Sequence, residues 1–444
     1  MDATRSLHDP VWDGVLDELS LNKAKPTIAA LSLTNRNLRL PAQRVLFRSL
    51  DFDGRTTNGE LGTNLELVRS MLDPSNSRLR EYVHRVSVHD WIPDDDEDDK
   101  AEDRFNDAAE LKTIFREILS LLESFPSIRS LMLNHVTLEN DTWGQLCAKS
   151  PNLSEVHVGY CEWNGADPAS DTMPVVRHAV KDVNIWYPVD AGDCMNSGGR
   201  VQIPALLYTA RTLIDPAQIE RLNIVPNYGT HELLAQLACS NVFFLRLASF
   251  TVMCPSAISS PHLMAFLRLC PALRELAFNR TNYPYYRIQW IGPDQEDERN
   301  SIRTNSRALT EKSFAPHGLL PALKVFLGSA DEAVAILNQT SSSLERLELH
   351  RTFQEGNSAS HPLPKEAVEQ ILLALEKAHP LSRESIVEIS CIDLRWDELD
   401  RPGTAEQEAA RRISDAPQLS RALFPNLKSF SYRGPIDDRA RTGS

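Results

Sequence analysis

The sequence lacks most of what a secreted protein, a membrane protein or an enzyme of familiar type would carry. It has no run of about 18 apolar residues, so no helical membrane span is expected. Its amino terminus shows no charged-then-apolar signal pattern, and the expected location is cytoplasmic or nuclear. Seven cysteines are scattered without a Cys-x-x-Cys or a paired Cys/His spacing, so reduced, buried thiols are expected rather than a disulfide framework or a zinc site. Positive charge is in the minority: 47 Lys and Arg against 61 Asp and Glu leave a formal charge of −14. Such a balance argues against nucleic acid as the main partner. There is no Gly-x-Gly-x-x-Gly after a strand pattern, no Gly-Lys-Ser/Thr phosphate loop, no His-Glu-x-x-His and no Gly-x-Ser-x-Gly. The expectation is a chain that is not an enzyme and needs neither metal nor cofactor.

Two local patterns imitate sites and fail on spacing. Asp94-Asp95-Asp96-Glu97-Asp98-Asp99 is a calcium-loop candidate, but with Asp94 as position one, Asp99 stands where an EF-hand needs Gly and Phe105 where it needs a bidentate Glu. Self-repulsion makes this run a solvated loop instead. Cys194 and Arg200 have the spacing of a phosphatase loop, yet Asp193 precedes the thiol where a cation would be needed to lower its pKa.

What is present falls into two textures. In residues 1–52, Leu7, Val11, Val15, Leu16 and Leu19 recur at helical spacing, and Ile28, Leu31, Leu38 and Leu46 continue the pattern past a break at Lys25-Pro26-Thr27. Proline is tolerated in a first helical turn, which predicts a second helix starting near Pro26. Gly14 costs its helix about 1 kcal/mol against Ala. Helices this brief bury little surface alone, so their core is completed either by a partner or by the rest of the chain.

This segment resembles an F-box in the divergent form common in fungal proteins. Leu7 to Leu19 keeps every apolar position of the family's first helix, although His8 and Pro10 replace the usual Pro and Glu. Leu31-Ser32-Leu33-Thr34-Asn35-Arg36-Asn37-Leu38-Arg39 and Val45-Leu46-Phe47-Arg48-Ser49-Leu50 are similar to its L-x-L-x-x-R-x-L-R and closing L-F-R-x-L. The resemblance implies binding to a Skp-type adaptor and, through it, a cullin ubiquitin ligase to which the chain would present a target protein. Leu7, Val11, Val15, Leu16, Leu19, Ile28, Leu31 and Leu38 match the adaptor-contacting positions. A non-catalytic interaction scaffold without ubiquitin transfer is the alternative.

The remaining residues, 53–440, return to one pattern: an aliphatic, two variable residues, a hydrophobic, one variable, a hydrophobic. Clear copies begin at Ile128, Leu153 and Leu273, each two residues after a proline; weaker ones begin at Ile219, Val242, Leu344 and Leu427. Degenerate copies begin at Val180, Leu323 and Ile386, and the earliest at Val83. This is the L-x-x-L-x-L core of a leucine-rich repeat, whose alternate residues point inward from short parallel strands. The usual Asn or Cys after the strand is mostly missing, with Asn134 and Cys161 near such positions. Helix-like runs lie between copies at residues 111–122, 231–238, 262–269 and 367–378.

The expected fold class is therefore α/β: an N-terminal helical F-box-like module followed by an irregular leucine-rich-repeat solenoid with a curved parallel sheet. Leu131, Leu133, Val156, Val158, Leu276, Phe278, Leu347 and Leu349 should point inward, leaving Met132, His157, Ala277 and Glu348 on a binding face. Residues 279–319 interrupt the repetition with Tyr283, Tyr285, Tyr286, Arg287 and Trp290. Residue types favoured at binding hot spots make Tyr285, Tyr286 and Trp290 candidate target contacts, although aromatics also plug gaps at repeat edges.

Overall fold

The computed structural model describes residues 25–34, 39–53, 61–89, 91, 108–139, 150–159, 161–164, 180–187, 207, 210, 211, 213–226, 230–253, 260–279, 320–339, 344–350, 371–373, 375–378, 383–392 and 422–433. The chain divides into two compact units, Met1–Trp186 with Arg211–Asp215, and Tyr187–Ala210 with Pro216–Ser444.

In the first unit, helix α1 (Lys25–Thr34) places Pro26 in its opening turn, as the sequence predicts, and is followed by α2 (Arg39–Leu46). Ile28 and Ala42 pack together as a small buried core, with Leu31, Val45 and Leu46 partly covered around it. The chain then enters β1 (Ser49–Asp53), followed by α3 (Leu61–Leu72), the single turn α4 (Ser77–Arg80), β2 (Arg85–His89), α5 (Ala108–Leu122) and β3 (Ser130–Asn134). Short β4 (Thr137–Glu139), β5 (Glu155–Gly159), short β6 (Glu162–Asn164) and β7 (Asp182–Tyr187) complete it. Strands β1, β2, β3, β5 and β7 pair in parallel in that order, while β4 pairs with β6 beside them. Helix α5 buries Phe115, Ile118, Leu119 and Leu122, a stripe at three- and four-residue spacing that gives it one apolar face.

The second unit repeats the scheme with β8 (Arg221–Pro226), α6 (Thr230–Cys239), β9 (Ser249–Met253), α7 (Ser260–Arg268), β10 (Glu275–Asn279), β11 (Val325–Ser329), α8 (Ala330–Gln339), β12 (Arg346–His350), β13 (Glu388–Ile392) and β14 (Ser429–Arg433). All seven strands are parallel and paired in sequence order. Phe266 of α7 meets Phe244 and Phe250 edge-on at 5.1 and 5.0 Å between ring centroids, a geometry aromatic quadrupoles favour. Helix α8 is started by a capping box: the Glu332 carboxylate accepts from the Ser329 amide at 3.0 Å, and the Ser329 hydroxyl accepts from the Glu332 amide at 3.3 Å.

Both units lock their register with one recurring device. Ahead of four strands of the first unit, the preceding residue has a carbonyl that accepts two successive amides from the next coil: Arg48 from His84 and Arg85, His84 from Arg129 and Ser130, Arg129 from Ser154 and Glu155, Ser154 from Lys181 and Asp182. In the second unit Glu220, Ala248, Arg274, Lys324, Glu345 and Val387 do the same. Because every coil is tied at the same residue, the period-two alternation stays in phase from strand to strand. Leu131, Leu133, Val156, Val158, Leu276, Phe278, Leu347 and Leu349 are all buried, as expected.

Two frames differ from the sequence reading. The copy placed at Val242 is not a strand; β9 begins at Ser249, so the true frame is Leu247-x-x-Phe250-x-Val252. Two L-x-x-L-x-L frames overlap and share Leu247. The second wins because it sets Phe250 and Val252 level with Leu276 and Phe278 on β10 and frees Phe244 to fill the space against Phe266. Ile219 to Leu247 then spans 28 residues and Leu247 to Leu273 spans 26, a more even period than the 23 and 31 of the sequence frame. The earliest copy is Phe47-x-x-Leu50-x-Phe52 rather than the one at Val83, since β1 already pairs with β2 in full register. All but the last residue of that strand falls in the segment 1–52 assigned to the helical module, where an aromatic first position hid the motif. The copies at Val180, Leu323 and Ile386 all lead into strands.

Candidate binding surfaces

The helix pair offers the first surface. Ile28 has no exposed area and closes the pair against Ala42, and Leu31 is half-buried beside it. Leu33 points away, 87% exposed, and Leu40 is 39% exposed. A leucine this open on a helix that already has a core is apolar surface with no cover among the described residues. Leu7, Val11, Val15, Leu16, Leu19 and Leu38 lie outside the described residues.

The outward face of the first unit's strands forms the second surface. Its middle row, held level by strand register, is Asp51, Ser87, Met132, His157 and Asn184. Above it, the His89 ring lies between two carboxylates, with Nε2 at 3.0 Å from Asp51 and Nδ1 at 3.6 Å from Asp53. Below it, Glu155 takes a 2.7 Å contact from His157 and sits 3.9 Å from Arg85. Partial burial pushes the Glu155 carboxyl up, but hydrogen bonds from His157 and Ser130 and the charges of His157 and Arg85 outweigh it and hold the group below its ordinary value. Met132 and Trp186 add exposed apolar area, the Trp at 45%. Trp186 stands next to Gly159, where a Cβ would come within 2.5 Å of Asn134 Oδ1 and 3.0 Å of the Trp186 carbonyl, so the residue between them must be small.

Beneath this face the coil ends are fastened from inside. The Trp91 indole donates to the Phe52 carbonyl at 3.1 Å, the Trp91 amide to His135 O at 2.9 Å, and the His135 amide to Gly159 O at 2.8 Å. Cys161 is buried with its thiol directed at the carbonyls of Gly159 and Leu133, at 3.3 and 3.6 Å. It does there what the repeat's usual Asn or Cys does, satisfying backbone groups where coils turn.

In the second unit the corresponding row is Asn223, Thr251, Ala277, Leu327, Glu348, Ser390 and Ser431, of which Ser390 is buried and accepts a 3.1 Å hydrogen bond from the Ser431 hydroxyl. Its apolar centre, Ala277 and Leu327, is flanked by Arg346, which pairs with Glu348 and lies 3.7 Å from Glu388. Tyr285, Tyr286 and Trp290 lie outside the described residues, as do the acidic run Asp94 to Asp99 and the Cys194 loop.

Among the described residues no group of three or more His, Cys, Asp or Glu is arranged to hold a metal ion. Burial pushes the Cys391 thiol up to about 12 and Cys270 higher still, the opposite of an activated nucleophile. No helix among the described residues is long and apolar enough to cross a membrane. Sequence reasoning places Leu33 in the L-x-L match without counting it among the contacts, because it falls off the apolar stripe, and passes over Trp186, the first residue beyond the inward Ile185.

The chain matches no protein-family model. No curated protein matches it either. Among solved structures it is similar to the leucine-rich repeat-containing protein LegL7 from Legionella pneumophila, at 14% identity, 85% coverage of this chain, 91% of that chain and a TM-score of 0.33. At that score the repeat assignment stands on this chain's own strand ladder: parallel strands whose inward residues are the last two hydrophobic positions of the repeat motif, tied at equivalent carbonyls.

Proposed function

We propose that this chain is the substrate-recognition subunit of a Skp-cullin-F-box ubiquitin ligase, docking the adaptor through its N-terminal helices and a target protein through the outward strand faces. The observation that carries the reading is the pairing of a two-helix core with an exposed Leu33, ahead in sequence of a strand ladder whose outward face carries Met132 and Trp186. Within the dock, Ile28 sets the angle of the helices from inside, Leu31 and Leu33 offer the apolar contact, and Leu7, Val11, Val15, Leu16, Leu19 and Leu38 extend it. On the target side, Tyr285, Tyr286 and Trp290 are the proposed contacts, alongside outward residues such as Ala277 and Glu348.

The test is co-precipitation of full-length protein from cells with ligase turnover blocked. Adaptor and cullin should both be recovered, and Leu31→Asp or Leu16→Asp should lose both, since burying an unpaired charge costs several kcal/mol. Adaptor without cullin would favour the non-catalytic scaffold. Wild-type recovery of adaptor by both variants would remove the F-box reading altogether.

A further inference from the structure

In the coil ahead of a strand, the first hydrophobic of the repeat closes a turn on the carbonyl three residues back: Ile128 on Phe125, Leu153 on Ser150, Leu273 on Cys270, Leu323 on Leu320 and Leu427 on Phe424. The residue after that carbonyl is Pro126, Pro151, Pro271, Pro321 or Pro425, as suits proline, which presets φ for the second residue of such a turn. Where Val83 closes on Arg80 and Ile386 on Arg383, the place holds an exposed Glu81 or Glu384. In the frame of Leu247 it holds Leu245, 67% exposed. Phe243 is 55% exposed and Val242 46%, while Phe244 between Phe243 and Leu245 is fully buried. The losing frame at Val242 thus leaves Val242, Phe243 and Leu245 as large apolar side chains that neither the turn nor the core uses.

Single exposed apolar residues are ordinary surface, but a cluster on a fixed backbone is not. Asn241, at φ 46°, ends α6 in the left-handed region that asparagine tolerates, and its amide returns to Ala238 O at 3.2 Å. On the other side the Phe244 amide donates to Leu269 O at 2.8 Å, and its ring packs edge-on at 5.1 Å against Phe266. Val242, Phe243 and Leu245 are therefore presented from a backbone tied at both ends, which spares a partner the cost of ordering it. Two exposed arginines border them: Arg246, whose Nη1 donates to the neutral Gln218 Oε1 at 3.2 Å, and Arg268, next to the Leu269 that holds Phe244. The acidic residues of this unit's adjacent elements stand elsewhere: Glu220 and Glu275 on the strand side of Ile219 and Leu273, and Glu232 in the first turn of α6, away from its Cys239 end.

We infer that this turn, Val242, Phe243 and Leu245 with Arg246 and Arg268, is a docking site for a short apolar segment of a partner protein that carries a carboxylate beside its apolar anchor. It requires neither the adaptor dock nor the outward strand faces. An arginine fork suits a carboxylate, and an apolar cluster beside it supplies the anchor. A second copy of this chain fits less well, since three side chains this open offer a few hundred Å² at most, against the roughly 800 Å² per partner that a stable dimer buries. A bilayer with anionic headgroups fits less well too, because the two arginines stand in a chain of formal charge −14. A short segment needs only the area the turn provides.

The probe is a displayed library of short random peptides selected on the full chain, the enriched peptides then being synthesised and titrated. They should share leucine or an aromatic next to Asp or Glu. Phe243→Ser with Leu245→Ser should weaken them by about tenfold or more, and Arg246→Ala by a smaller factor. Leu245→Pro is the second variant: it installs the residue that equivalent turns carry, so it should keep the denaturant midpoint and still weaken the peptides. Adaptor recovery in these variants should stay at wild type, which separates this site from the proposed dock. Sedimentation of the full chain and its binding to anionic vesicles examine the other two occupants. No enrichment, equal binding to the variants, anchors flanked by basic residues, or self-association or vesicle binding that Leu245→Pro abolishes would overturn the inference.

Discussion

Within the first unit the strand ladder and the helix pair draw on the same aliphatic residues. In the ladder, Val86, Val88, Leu131, Leu133, Val156 and Val158 have at most 1% of their surface in solvent; in the pair, Ile28 and Ala42 are closed, Leu31, Val45 and Leu46 half covered, and Leu33 open. The ladder is covered because each inward pair is flanked by strands on either side at a fixed phase. The helix pair has no such repetition, and a third face must cover what remains. Stability should therefore concentrate in the ladder and binding in the pair, which substitutions can separate.

The largest effect is expected in the ladder. Leu276→Ala or Leu131→Ala should each cost about 2 to 5 kcal/mol in denaturant unfolding, as for large-to-small changes at closed core positions. Leu33→Ala should stay within about 0.5 kcal/mol, as an open surface residue does. Equal losses at Leu33 and Leu131 would erase the distinction. On the target side, truncating Tyr285, Tyr286 and Trp290 to Ala one at a time should weaken capture by about 2 kcal/mol or more for at least one of them. Adaptor recovery should be unchanged.

Smaller effects sharpen the picture. Ser329→Ala removes the cap of α8 and should lower stability by about 1 kcal/mol, read as a shifted denaturant midpoint. Glu155 has a folded value below its ordinary 4.5, so its contribution is complete above that pH and fades as pH falls through the lowered value. Glu155→Gln should then be less stable than the parent near neutrality, with the difference vanishing in acid. Replacing Asp94 to Asp99 with Ser and Gly should change little beyond salt dependence, because a self-repelling charge run is expected to be solvated and solvated charges are screened within about 8 Å at physiological ionic strength.

Much of the ladder was legible because period-two burial writes itself into the sequence. The frames at Ile128, Leu153 and Leu273, and even the degenerate ones at Val180, Leu323 and Ile386, lead into strands. Misplacement at Val242 came from two overlapping frames that only pairing with β10 can choose between, and omission of β1 from Phe47 standing where an aliphatic is usual. The binding surfaces were less legible, since their members are defined by what does not cover them. Leu33 and Trp186 acquire meaning only once Ile28 and Ile185 are seen to take the inward positions.

Amide hydrogen exchange on the full chain, alone and with the Skp-type adaptor, tests the division between ladder and dock most directly. Amides of β2, β3, β5 and β9 to β12 should be strongly protected in both states. Amides of α1 and α2 should exchange fast alone and slow when the adaptor is bound. Helices α1 and α2 as protected as the strands without adaptor, or unchanged by it, would contradict the account.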